Sequence, residues 1–231
     1  MKLNTELFKK LCDTVGVSSN EDKIREIIEK DIKDYVDEIK IDVLGNLIAH
    51  KKGKGKKIML AGHMDQIGFM VSEITEDGFI KFSPIGGLIP FTLISQRVVF
   101  DNDTIGVIVP GNDFEKSGKL SELNVDGLFI DIGVSSKKDA EAKVSVGDLG
   151  TFESTFYEDD EKIITRAIDD RVGCFVLAEV AKANVDTDMD VYYVFTAQEE
   201  LGIRGAKTSA FGINPDLAVA VDITPSGDAP G

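Results

Sequence analysis

Leu3, Leu7, Phe8, Leu11 and Val15 recur three or four residues apart, the spacing of one helix face, and predict a helix at the start of the chain. A second helix is expected after Gly16. Ser18 and Glu21 have the spacing of a capping box, and Ile24, Ile27, Ile28, Ile32 and Tyr35 share one apolar face. The period then changes. Ile39, Ile41 and Val43 alternate with polar residues, Gly45-Asn46 marks a turn, and Leu47-Ile48-Ala49 reads as a returning strand. Lys51 to Lys57 is a Gly/Lys run, the signature of a solvated hairpin tip. Ile58-Met59-Leu60-Ala61-Gly62 is uninterrupted apolar sequence, as in a strand covered on both faces, and His63 follows it directly.

From about Val71 to Lys162 the texture is different. Short runs such as Gly78-Phe79-Ile80-Lys81-Phe82, Arg97-Val98-Val99-Phe100 and Gly106-Val107-Ile108-Val109 are broken every few residues by Gly, Asn and Asp. That spacing predicts a small antiparallel barrel or sandwich, with one helix near Lys137 to Ala142. Alternating helices and strands resume after Asp169. The pattern predicts a helix from Asp170 to Ala183, a buried strand over Val191 to Thr196, a short helix from Ile203 to Phe211 ended by Gly212, and a buried strand over Leu217 to Val221 that delivers Asp222. The expected fold class is α/β, with a catalytic-type domain of residues 1–70 and 163–231 interrupted by an inserted all-β, barrel-like domain of residues 71–162.

Composition narrows the partners. The 231 residues carry a formal net charge of -15, and a phosphate backbone repels such a surface, so nucleic acid is excluded as a partner. No apolar run approaches the roughly 18 residues of a membrane span, and the first ten residues lack the apolar centre of a secretory signal. Two cysteines, Cys12 and Cys174, fit a reduced compartment better than a disulfide framework, so the chain is expected in the cytoplasm. The two histidines, His50 and His63, restrict any chemistry that needs imidazole.

Four short segments carry the candidate chemistry: Gly62-His63-Met64-Asp65, Ile168-Asp169-Asp170-Arg171, Gln198-Glu199-Glu200-Leu201-Gly202 and Val221-Asp222-Ile223-Thr224. Three follow predicted strands and one precedes a predicted helix. In open α/β sheets ligands bind outside the carboxyl ends of strands, so distant segments converge on one rim. Each segment has a bland alternative taken alone: a surface or capping His-x-Asp pair, a helix N-cap with an ion pair at Asp169-Asp170-Arg171, a solvated acidic loop, a turn aspartate. Together they differ. Several carboxylates in a partly dry cleft would force one or more to protonate, and a divalent cation removes that conflict. One imidazole among carboxylates suits zinc, cobalt or manganese better than a thiolate-preferring metal. Asp65, two residues beyond His63, is placed to hold the second ring nitrogen. Adjacent side chains point apart, so of Glu199 and Glu200 one can bind metal while the other accepts a proton.

These four motifs, with Ile85-Gly86-Gly87-Leu88, Gln96-Arg97-Val98 and Leu128-Phe129-Ile130-Asp131-Ile132-Gly133 inside the insert, make the chain resemble the tetrahedral (TET) or glutamyl-aminopeptidase-type metallopeptidases. The resemblance implies a dinuclear catalytic domain and a dimerisation insert. It implies His63 and Asp222 as ligands of one metal, Asp169 as the bridging carboxylate, Glu200 as a ligand of the other, Asp65 as the residue that orients His63, and Glu199 as general base. It further implies two divalent ions per subunit in the full-length protein, zinc or cobalt, peptide substrates, and self-association into a dimer or a dodecamer. Two departures stand out. Gln66 occupies a position where the family has Glu, and the family's last His ligand belongs to a C-terminal segment not found before Gly231, so the chain reads as C-terminally truncated. Two alternatives follow: an endoglucanase-type glycoside hydrolase using two carboxylates without metal, and an inactive metal-binding or assembly fragment.

Overall fold

The computed structural model describes residues 5–112, 119 and 123–228, which divide into two compact units: residues 1–66 with 167–231, and residues 67–166. The predicted start of the first helix at Leu3 lies outside the described residues.

In the first unit, α1 (Thr5–Asp13) and α2 (Asp22–Ile32) form from the two periodic runs at the start of the chain. Leu7, Phe8, Leu11, Ile24, Ile28 and Ile32 are buried, as one-face spacing requires. A five-stranded sheet follows the order β1-β2-β12-β3-β13. Its members are β1 (Glu38–Ile41), β2 (Leu47–Lys51), β3 (Lys57–His63), β12 (Asp190–Thr196) and β13 (Leu217–Ala220). The hairpin β1-β2 is antiparallel and lies antiparallel to β12, whereas β12, β3 and β13 run parallel. Two helices pack on the parallel strands β3 and β12: α5 (Ile168–Lys182) and α6 (Arg204–Ile213). Along β3, Met59 and Ala61 pack with Ile213 and Ala210 of α6, while Gly62, one residue on, lies against Gly173 and Cys174 of α5. Side chains alternate across a strand, so the two helices sit on opposite faces. Phe8 of α1 meets Phe175 of α5 with ring centroids 5.6 Å apart.

The second unit is a closed barrel in the order β4-β5-β8-β7-β6-β9. Its strands are β4 (Gly68–Ile74), β5 (Ile80–Ile85), β6 (Arg97–Phe100), β7 (Ile105–Pro110), β8 (Leu128–Asp131) and β9 (Leu149–Phe152). Closure leaves no unpaired sheet edge. Phe69, Val71, Ile80, Phe82, Val98, Phe100, Ile108 and Ile130 fill the interior, and Phe69 makes edge-on contacts with Phe82 and Phe100. Short helices α3 (Pro90–Leu93) and α4 (Lys137–Glu141) punctuate it, the second where the sequence predicts a helix. A short ladder, β10 (Tyr157–Glu158) with β11 (Ile163–Ile164), completes the unit.

Three local expectations are corrected. Ser18 and Glu21 do not cap α2: its N-terminal residue Glu21 makes no side-chain capping bond, and both side chains turn inward, buried at 2% exposure. Helix α6 runs past Gly212 and ends at Asn214, whose φ of 51° is a left-handed stop that Asn tolerates. Leu217 to Ala220 forms a strand, but all four residues are exposed, because β13 lies at the margin beside β3 while the helices pack on β3 and β12.

Candidate metal centre

The parallel register fixes the rim. Thr196 at the end of β12 pairs with His63 at the end of β3, and the ladder continues as Met64 N–H donates to the Thr196 carbonyl and Val221 N–H to the Ala61 carbonyl. Gln198-Glu199-Glu200, His63 and Asp222 therefore leave three neighbouring strands at the same end. The fourth segment comes from the start of α5, where Asp169 and Asp170 hold non-helical dihedrals and are joined by a cis peptide.

His63 is 3% exposed. Its Nδ1 lies 3.0 Å from the main-chain oxygen of Asp65 and 3.4 Å from that residue's carboxylate. A carbonyl oxygen only accepts, so Nδ1 carries a proton and Nε2 is the nitrogen left for a ligand. Nε2 faces Asp169 at 2.8 Å and Glu199 at 4.0 Å. Burial pulls the His63 pKa down, but the carboxylates of Asp65, Asp170 and Asp169 outweigh it and lift the ring to about 10. In the absence of a cation, a proton on Nε2 neutralises part of this acidic pocket.

Two ligand groupings form around that nitrogen. His63, Asp169 and Asp222 each bring one donor atom to within 4.8 Å of the others, and so do His63, Glu199 and Glu200. Of the six residues singled out in the sequence, five thus fall in two groupings that share His63, and the sixth, Asp65, holds the other ring nitrogen. Asp169 and Glu200 do not fall within a single grouping. The acidic conflict foreseen in the sequence is present. Burial first, then the neighbouring carboxylates against His63, pushes Glu200 up to about 7 and raises Glu199. These donors fit a divalent cation: it would replace the proton on Nε2 and relieve the repulsion among the acids.

Asp65 does more than orient the imidazole. Its Oδ1 accepts from Glu199 N–H at 2.9 Å, and its Oδ2 accepts from Glu200 N–H at 3.1 Å and from the Ser18 hydroxyl at 2.5 Å. The imidazole of His63, with the Ser18 hydroxyl and the Glu199 amide, lowers the pKa of this carboxyl against the burial that opposes them. Upstream, Ala197 N–H donates to Asn46 Oδ1 and Gln198 N–H to Glu21 Oε1. Four consecutive amides after β12 are therefore each taken by a side-chain oxygen. Asp170 was not among the sequence candidates. It is fully buried, accepts from the backbone N–H of His63 and of Gly173, and is pushed up to about 7 chiefly by burial. A Cβ at Gly173 would collide with that carboxylate, which explains glycine there. Arg171 donates to the carbonyls of Leu11 and Gly16. The only sequence signal for these supporting residues was the acidic or amide side chain beside a turn, which reads equally well as a cap.

Residues 45–231 match the family model described as M42 glutamyl aminopeptidase. A protein of Acetivibrio thermocellus that carries an aminopeptidase name is 48% identical over 97% of this chain and 67% of its own length. An aminopeptidase structure from the archaeon Desulfurococcus kamchatkensis superposes with a TM-score of 0.91 at 40% identity, covering 98% of this chain and 64% of that one. The TET1 peptidase of Pyrococcus horikoshii, described as assembling into a tetrahedron or a large octahedral shell, superposes at 0.83 with 35% identity over 97% and 72%. A Thermotoga maritima structure of the same fold, at 0.84 and 37% identity over 96% and 67%, bears the name endoglucanase. The chain spans about two thirds of the length of the relatives it matches. The chain belongs to the M42 glutamyl aminopeptidase family.

Proposed function

We propose that the chain is the metal-binding part of an aminopeptidase that removes N-terminal residues from peptides, with Glu199 as general base. The observation that carries the reading is the convergence of one imidazole nitrogen with the carboxylates of Asp169, Asp222, Glu199 and Glu200 on a single rim. His63, Asp169 and Asp222 would hold one divalent ion, and Asp169 with Glu200 a second, zinc or cobalt in each case. Bound there, such ions acidify water and polarise the scissile carbonyl. Glu199 is half-buried, and its raised pKa brings it nearer the range in which a carboxylate accepts and returns a proton efficiently. It would take the proton of the attacking water and pass it to the leaving amine. Asp65 keeps Glu199 and Glu200 facing the rim, and Asp170 fixes the backbone of His63.

The glycosidase alternative needs two carboxylates free to flank a sugar bond without metal. Here Glu199 and Asp169 both crowd His63 Nε2, and the relatives' aminopeptidase names favour the peptidase. One observation favours a metal-binding fragment without turnover: among the described residues the second ion would share Asp169 with the first and add only Glu200 as a ligand of its own. Self-association through residues 67–166 is part of the proposal, supported by the assemblies described for the P. horikoshii peptidase. So is a cytoplasmic location, supported by the buried thiols of Cys12 and Cys174; no helix among the described residues is long and apolar enough to cross a membrane.

The test is p-nitroaniline release from a panel of aminoacyl p-nitroanilides by the protein loaded with zinc or cobalt. Glu199→Gln should lower kcat by about 10²–10⁴-fold while leaving metal bound. Turnover that survives that substitution, or that persists after chelation, contradicts the assignment.

A further inference from the structure

Resting on the peptidase reading, we infer that Glu21, in the connection between α1 and α2, is a positioning residue that sets the aim of Glu199 and Glu200 by holding Gln198. Glu21 is 2% exposed and belongs to none of the four motifs. Its Oε1 accepts from Ser19 N–H at 2.9 Å and from Gln198 N–H at 3.0 Å. Gln198 has φ of 56°, a left-handed conformation that a side chain with a Cβ adopts only under constraint. It is the residue at which the chain leaving β12 turns, so its dihedral decides where the next two carboxylates point.

The connection is itself built into the site. Gly16 carbonyl accepts from Gln66 N–H and from Arg171, Val17 bridges Gln66 in parallel, and Ser18 donates to Asp65. One short loop thus touches three of the four segments that carry the candidate ligands. Within it, Ser18 acts on Glu199 and Glu200 through Asp65, and Glu21 acts through Gln198. Two separate carboxylates therefore fix three successive amides, and neither can move without shifting the acid pair.

Reach, not charge, is what this role requires. Glu21→Asp keeps a carboxylate but shortens it by one methylene. Glu21→Gln keeps the length and an acceptor oxygen but removes the charge. Metal-free protein carrying each change would be titrated with cobalt(II) and read by visible absorption, a signature of ligand geometry that folding alone does not set. Glu21→Asp should weaken cobalt binding about tenfold and alter the absorption band, and Glu21→Gln should stay within about threefold of the parent. Where the parent turns over an aminoacyl p-nitroanilide, Glu21→Asp should lower kcat about tenfold with KM little changed, as expected for an interaction made only in the transition state. Parental cobalt spectra in both variants, or the reverse order with Glu21→Gln the more impaired, overturn the inference. A parent without turnover counts against the peptidase reading alone and leaves the cobalt comparison to decide.

Discussion

Asp65 illustrates how much of the site depends on one buried group. Its carboxylate accepts from two successive amides and a hydroxyl while lying 3.4 Å from the imidazole. Asp65→Ala would leave those amides without an acceptor and free the His63 ring, so metal affinity should drop about 10–100-fold, read by calorimetric titration of zinc. Unchanged affinity would mean that the carbonyl of Asp65 alone orients the ring. The acids themselves predict a pH dependence. Glu200 and Asp170 are raised to about 7 in the folded chain. The native state therefore binds more protons than the unfolded state between their ordinary values and about 7. Stability of the metal-free chain falls as pH rises through that window. Thermal midpoints should decrease from pH 5 toward pH 8 without metal, and added zinc should restore most of the loss at the upper end. A midpoint that climbs over that range without metal would contradict the site's electrostatics.

At the level of elements, Asn46 ties three together. Fully buried at the start of β2, it accepts from Ala197 beyond β12 and donates to the Gly205 carbonyl and the Thr208 hydroxyl in α6. Asn46→Ala leaves the buried Ala197 N–H without its acceptor and should cost about 1–3 kcal/mol, measured by urea unfolding. Much of this arrangement was legible. Two-residue alternation and uninterrupted apolar runs located β1, β2, β3 and β12, and turn-broken short runs announced a barrel. Three acidic or imidazole segments at strand ends, with a fourth at a helix start, pointed to the rim, because parallel strands deliver their carboxyl ends to one side. What stayed hidden depended on contacts between residues far apart in sequence. Ser18 and Glu21 match a capping box locally, yet their acceptor and donor are Asp65 and Gln198. Asp170 looked like an N-cap until the close approach of β3 to α5 brought His63 N–H to it. The exposure of β13 follows from its place at the sheet margin, which an apolar run cannot reveal.

For the molecule as a whole, the net charge of -15 suits cation enrichment at an acidic rim and opposes anionic polymers. The barrel of residues 67–166 has a sealed interior, so any self-association through it would use its outer surface. Light scattering should then report dimers or larger species at micromolar concentration, and a strictly monomeric mass would remove the insert from that role. The rim is tested by zinc titrated into the metal-free chain by calorimetry, beside His63→Ala. Saturable binding of at least one ion per chain is expected, weakened about 100-fold when His63 is removed. Binding that is absent in the parent, or equally tight without His63, would contradict it.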